Sequence, residues 1–217
     1  MSNPYERQKD IITPEELKRT INIVGLGGIG SWTSLYLAKM GCQHLVLIDP
    51  DTVEEHNLAS QFYQLDDVDC KKVMSTLNNI RSFNPSNCSL TCYEELIETK
   101  VPCDILIIAV DSMERRIEIA QQLEYEPQLI IDGRMGGDII EVFTCDTLKK
   151  YKESLVAPEY VDKDPCTGRS VVYNTAIIGG IICNQVKRFC KGQPYKQEIV
   201  IDLGNMVMGT EKKERSS

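Results

Sequence analysis

Along most of the chain, short apolar runs alternate with segments whose apolar residues fall at helical spacing. Ile21–Gly25 is a β-branched run that enters a group of glycines, and Ser31–Met40 follows with helical spacing, which predicts strand, turn and helix. His44–Asp49 predicts a second strand. The span from Asp67 to Phe83, with Val73, Leu77 and Ile80, predicts a second helix, and Asp104–Val110, almost all Ile, Leu and Val, a third strand. Strands this continuously apolar are covered on both faces, as in a parallel sheet. Met113–Glu124 is helix-compatible, Gln128–Asp132 and Ile139–Thr144 are strands on either side of a glycine-rich turn, Val171–Cys190 is an apolar helix and Glu198–Leu203 a last strand. The expected fold class is α/β, a doubly wound, mostly parallel sheet with a Rossmann-like nucleotide-binding half.

Around this pattern the texture changes in three places. Residues 1–20 form a polar, helix-compatible arm. Residues 149–170, charged and carrying Pro158 and Pro165, read as a long crossover loop within a single domain at 21–208, and the charged residues 209–217 read as a disordered tail. A chain of 217 residues fits one domain. Its 42% hydrophobic and 26% charged residues exclude the low-hydrophobicity composition of a disordered protein.

Charge and cysteine usage narrow the class of partner and compartment. With 24 Lys+Arg against 32 Asp+Glu the net charge is -8, which argues against holding nucleic acid through its phosphates. The longest apolar run, Ala176–Cys183, is shorter than the ~18 residues of a membrane span. Arg7, Lys9 and Asp10 interrupt any signal-peptide core, so the nine cysteines read as reduced thiols and a cytoplasmic, non-membrane protein is expected.

Candidate chemistry begins with the glycines. Gly25, Gly27, Gly28 and Gly30 fit G-x-G-x-x-G between a strand and a helix, where backbone can approach a phosphate and the helix N-terminus offers unpaired N–H groups. Asp49 ends the next strand, where an acid can accept hydrogen bonds from ribose hydroxyls. These features indicate a nucleotide without saying which. Hydride transfer usually uses a positioned acid or base, often histidine, and the only histidines, His44 and His56, lie in the nucleotide-binding half. Asp49, Asp51, Asn57 and Gln61, with Lys71 and Lys72 beyond, form instead a polar cluster suited to sugar and triphosphate oxygens.

The ordered set of Tyr5-Glu6-Arg7-Gln8, the glycine motif followed by Ser31, Ile48–Gln61, a lysine and Asp111 after an apolar strand resembles the ThiF/MoeB family of ubiquitin-activating-like adenylyltransferases, over about residues 5–192. The resemblance implies a site binding ATP and Mg²⁺. Asp49 would hold the ribose, the Gly25–Gly30 turn the phosphate-proximal backbone, and Asn57, Gln61 and Lys72 (with Lys71 as the open alternative) the triphosphate. Asp111 would bind the metal. Arg7 would reach into a partner subunit's site, implying a homodimer. The implied reaction joins the C-terminal carboxylate of a ubiquitin-like or sulfur-carrier protein ending in Gly-Gly to AMP.

Departures from the family pattern qualify that expectation. Ser60 stands where the family carries an arginine, and Arg134, in a glycine-rich turn beside Asp132, is the candidate to replace its charge. No Cys-x-x-Cys pair occurs, so no zinc is expected. Cys166 lies in the crossover loop where relatives carry a thioester- or persulfide-forming cysteine, whereas Cys183 and Cys190 on an apolar helix read as core residues. The alternatives are adenylation of another carboxylate, such as a peptide or a modified tRNA base, and a non-catalytic member that binds nucleotide or a partner.

Overall fold

The computed structural model describes residues 3–83, 88–95, 101–155 and 171–210. Its elements run β1 (Thr20–Val24), α1 (Gly28–Met40), β2 (His44–Ile48), α2 (Lys72–Phe83), β3 (Ser89–Tyr93), β4 (Ile105–Ile108), α3 (Met113–Gln122), β5 (Leu129–Gly136), β6 (Ile139–Cys145), α4 (Leu148–Ser154), α5 (Val172–Cys190), β7 (Glu198–Asp202) and β8 (Val207–Gly209). All strands join one eight-stranded sheet in the order β3-β2-β1-β4-β5-β6-β7-β8. The first five are parallel, and β6, β7 and β8 continue the sheet antiparallel.

This order positions the site. From β1 the chain goes outward to β2 and β3, then returns across β1 to β4, so the connections leave the carboxyl ends of β1 and β4 in opposite directions and open a crevice between them. The register Val24↔Ile48 and Val24↔Ile108 brings the residues that follow, Gly25, Asp49 and Ala109, to one level.

Period-two alternation along the strands divides the core. Ile23, Leu47, Ile107 and Ile131 face α1, α2 and α5, which contribute Leu37, Leu77 and Ile182. Ile48, Leu106, Ile108 and Ile130 face α3 and α4, with Ile119 and the fully buried Tyr151.

Three expectations are corrected. The arm forms successive turns rather than a helix, since Pro14 has no N–H to donate and Gln8 instead donates from Nε2 to the carbonyl of Met40 at 2.7 Å. Within the expected crossover loop, Leu148–Ser154 is helical: Thr147 caps it by accepting from the Lys150 N–H at 3.2 Å, and Tyr151 anchors it. Residues 156–170 lie outside the described residues. Val207–Gly209 adds a strand antiparallel to β7, too short to show a period in sequence; of the expected tail, Gly209 belongs to it and 211–217 are outside the described residues. Among the described residues no helix is long and apolar enough to cross a membrane.

Candidate nucleotide-binding site

The four motif glycines have different physical reasons. Gly25 leaves β1 at φ +89°, and a Cβ there would lie 2.6 Å from the Ala109 carbonyl oxygen. At Gly30 a Cβ would lie 1.8 Å from the Gly25 carbonyl oxygen, so the first turn of α1 rests directly on the backbone that enters it. Gly28 is pressed by Thr175 of α5, at 2.8 Å. Gly27 alone faces open space, with Gln61 Nε2 at 3.9 Å as the nearest atom, and as the N-cap of α1 it provides no side-chain partner for the first-turn N–H groups. A phosphate can approach at Gly27, while the other three glycines hold the loop in shape.

Asp49 braces the loop from β2. It is buried, its Oδ2 accepts the Leu26 N–H at 2.6 Å and its Oδ1 the Asp51 N–H at 2.9 Å. Burial pushes its carboxyl above the usual range, and the nearby Lys72 charge offsets part of that rise. Tyr63 braces the opposite side, donating to the Leu26 carbonyl at 2.7 Å.

The two candidate lysines point differently. Lys72, the first residue of α2, is buried and its Nζ donates to Asp51 Oδ2 at 2.9 Å. Lys71 is half-buried overall, but its ammonium donates outside this pocket to the Pro50 carbonyl at 2.8 Å. Asn57 is buried, its Oδ1 accepting the Glu54 N–H at 3.0 Å. Gln61 turns its Nε2 toward the open Gly27, 3.9 Å from where a Cβ would stand, while its buried Oε1 has no hydrogen-bond partner among the described residues.

Asp111 is exposed beyond β4, next to the α3 cap in which Ser112 Oγ accepts the Arg115 N–H at 3.2 Å. The preceding Val110 nitrogen is 3.0 Å from where a Gly25 Cβ would stand, so Asp111 follows directly on the glycine loop. Ser60 is fixed through its backbone: its carbonyl accepts from Trp32 Nε1 at 3.0 Å and Thr175 Oγ1 at 3.1 Å.

Arg134 is less free than its turn-like sequence implies. Its Nε donates to Asp132 Oδ2 at 2.8 Å, its Nη1 to Glu141 Oε1 at 3.0 Å and its Nη2 to Ser154 Oγ at 3.4 Å. Asp132 is fully buried and also accepts from Arg116 Nε at 2.9 Å and the Tyr151 hydroxyl at 3.3 Å. Two arginines and two carboxylates thus form one network, and burial pushes Glu141 upward against the pull of Arg134. Sequence reading missed Arg116, a residue type usually solvated on a helix. Its one signal was a place five residues after Asp111, on the face of α3 that carries Ile119.

Arg7 is exposed at the far end of α1, because the arm is tied to Met40. With 13 residues in α1, the glycine loop of the same chain is about 20 Å away. Cys166 lies outside the described residues. Of the cysteines inside them, burial pushes Cys183 far up and Cys190 to about 11, so both are protonated core thiols at neutral pH.

The ThiF family model matches residues 11–207. Ubiquitin-like modifier-activating enzyme 5 of Rattus norvegicus is 31% identical over 142 residues, 54% of this chain and 35% of that protein. Molybdopterin-synthase adenylyltransferase of Haemophilus influenzae is 34% identical over 142 residues, 61% of this chain and 58% of its own length. The chain thus spans about a third of the first relative and somewhat over half of the second. Among solved structures, E. coli MccB with ATP superposes with a TM-score of 0.78 at 20% identity, covering 99% of this chain and 73% of that one. MccB with MccA-N7isoASN gives 0.81 at 20% identity over 100% and 74%. At such identity the structural likeness is one of fold.

Proposed function

The chain belongs to the ThiF family, and from that premise we propose that it adenylates the C-terminal carboxylate of a ubiquitin-like or sulfur-carrier protein ending in Gly-Gly, using ATP and Mg²⁺. The observation that carries this reading is the open approach at Gly27, where the nearest atom is the Gln61 Nε2 donor, together with the buried Lys72 ammonium acting on Asp49, the carboxylate that braces the same loop. A buried ammonium and a glycine-lined helix N-terminus each suit a polyanion. The relatives' names point the same way: an enzyme activating a ubiquitin-like modifier, an adenylyltransferase, and structures of MccB with ATP and with MccA.

Each side chain then has a physical task. Asp49 uses the lone pairs left over from its two backbone bonds for the ribose hydroxyls. Asn57 and Gln61 offer amide N–H groups, and Lys72 exchanges Asp51 for phosphate oxygens. Asp111, a single exposed carboxylate at the sheet's carboxyl end, fits Mg²⁺, which commonly takes one or two carboxylates with the remaining positions on phosphate and water. Bound there, the ion neutralises charge on the triphosphate. The incoming carboxylate oxygen bonds to the α-phosphorus, the α–β bridge breaks and pyrophosphate leaves, giving an acyl-adenylate. Arg7 of the partner subunit would neutralise the leaving charge in a homodimer, and the Cys166 thiolate would then attack the acyl carbon, forming a thioester and releasing AMP. Positioning and charge neutralisation are the catalytic demands.

Calorimetric titration tests the choice of nucleotide. Mg·ATP is expected to bind at least tenfold more tightly than NAD, about 1.4 kcal/mol, and tighter NAD binding would end the adenylation reading.

Ser60 favours a second reading, a non-catalytic nucleotide binder, because the family arginine is missing there. We assign the replacement charge to Arg134. Arg134→Ala is expected to lower ATP–pyrophosphate exchange per folded molecule by about one to two orders of magnitude. It should also lower stability by about 3 kcal/mol, since Glu141 and Asp132 lose a partner. Ser60→Arg on that background should restore part of the exchange and none of the stability. Loss of stability alone would make Arg134 an ion-network residue.

A further inference from the structure

We propose that Arg116 is a positioning residue for Arg134: it keeps Asp132 paired, so that Arg134 can turn from the ion network to the phosphates of the nucleotide without stranding a buried charge. The inference rests on the adenylation reading and on Arg134 as the cation that replaces the arginine missing at Ser60.

The two arginines share one carboxylate on unequal terms. Asp132 is fully buried, so its charge needs a partner that stays. Its Oδ1 accepts from Arg116 Nε at 2.9 Å, and its Oδ2 from Arg134 Nε at 2.8 Å and from the Tyr151 hydroxyl at 3.3 Å. The Arg116 side chain is 5% exposed and also donates from Nη2 to the Gly133 carbonyl at 3.0 Å. Withdrawing it would leave a buried backbone carbonyl and a carboxylate oxygen without their donors, so Arg116 is the fixed member of the pair.

Arg134 is the member that can leave. Its side chain is 15% exposed, and each group it touches has somewhere else to turn. Asp132 keeps Arg116 and Tyr151, the Glu141 side chain is 32% exposed and takes up water, and Ser154 Oγ goes on donating to the Tyr151 carbonyl at 2.7 Å. Departure therefore costs contacts but strands no buried charge, and phosphate oxygens return charge-assisted hydrogen bonds. Without Arg116 the balance reverses. Arg134 would then be the only cation on Asp132 among the described residues, and the buried carboxylate would hold it in place.

The fold keeps the distance short. β4 and β5 are parallel with Ile108 opposite Asp132. Asp111, three residues beyond Ile108, and Arg134, two beyond Asp132, therefore leave the sheet side by side, on strands about 4.8 Å apart. Met135, the next residue, has its Cε 3.6 Å from where a Gly28 Cβ would stand, so this end of β5 borders the glycine loop. Arg116 also ties α3, and with it the Asp111 that precedes the helix, to β5 through the Gly133 carbonyl. Release of Arg134 and support of Asp111 are separable, because only the first depends on the charge of Asp132.

The test measures ATP–pyrophosphate exchange per folded molecule, and Mg·ATP affinity by calorimetry, in Arg134→Ala, Arg116→Gln, the two combined, and Arg116→Gln with Asp132→Asn. Arg116→Gln is expected to lose about as much exchange as Arg134→Ala, roughly one to two orders of magnitude. Combining the two should cost no more than about threefold further, because Arg134 is already withheld. Asp132→Asn on the Arg116→Gln background should recover most of the loss, since no charge then holds Arg134, and Arg134→Ala should again be costly on that pair. Mg·ATP affinity should follow the same order. If Arg116→Gln alone does not fold, the neutral pair, which strands no charge, carries the test: folded but inactive, or insensitive to Arg134→Ala, it would overturn the proposal. A loss in Arg116→Gln that adds to that of Arg134→Ala and is not relieved by Asp132→Asn would make Arg116 a support of Asp111 and overturn it too. So would unchanged exchange and affinity in Arg116→Gln, with Arg134 left in its role. Wild-type values in Arg134→Ala would overturn both assignments, whereas a wild type without exchange would end the adenylation reading alone, the affinity series still deciding for or against Arg116.

Discussion

Gly30→Ala is expected to remove most of the stability of this chain. The added Cβ would stand 1.8 Å from the Gly25 carbonyl oxygen, and no rotamer change relieves an overlap with backbone. Relief requires α1 to lift from the end of β1, which separates Leu37 and Ala38 from the core they help build. A loss above about 4 kcal/mol is in the range of the most damaging substitutions and a large part of a typical total of about 5–15. Urea titration measures it. Gly27→Ala is the matched control: nothing approaches closer than 3.9 Å, so stability should change by less than about 1 kcal/mol, while ATP affinity falls because the Cβ occupies the phosphate's approach. Similar stability losses at the two positions would mean that the loop is held otherwise than described.

Lys72→Ala carries the largest expected effect on activity. Its Asp51 partner is 63% exposed and stays solvated without it, whereas the buried Asp49 loses the nearby cation that offsets its burial. Stability should therefore fall modestly, by about 1–2 kcal/mol, far less than the effect on exchange. Exchange should fall by about two to three orders of magnitude, the usual cost of removing one preorganised cation or donor from developing charge. Lys71→Ala, whose ammonium donates to the Pro50 carbonyl rather than into this pocket, should stay within about threefold of wild type. Equal losses at both positions would show that α2 shifts its first turn when the nucleotide binds.

The part of this organisation that follows from local pattern was legible in the sequence. The β2 and β4 strands are buried on both faces and so read as nearly continuous apolar runs, β1 does so apart from the buried Asn22, and the glycine motif with Asp49 has fixed spacing along a strand, turn and helix. What depends on contacts between distant segments was not. α4 is short and surrounded by charge, and only the tertiary burial of Tyr151 against Asp132 reveals its purpose. The commitment of Arg134 to Asp132 and Glu141 arises because β5 and β6 pair Arg134 directly with Glu141, a register set by the turn at Gly137. The difference between Lys71 and Lys72 is a matter of one residue's rotation at the start of a helix, which apolar spacing does not resolve. Gln61 reads in sequence as one polar residue among several, and the approach of its Nε2 to the open Gly27 exists only in the fold.

The measurement that bears most directly on the proposed activity is isotope exchange between pyrophosphate and ATP, run with Mg²⁺ and a small protein ending in Gly-Gly, and repeated with the same protein lacking its last glycine. Exchange that requires the intact terminus, and that is lost in Lys72→Ala and Asp111→Ala, is the predicted result. ATP binding without exchange in the presence of any such carrier would contradict it and assign the chain to the non-catalytic reading.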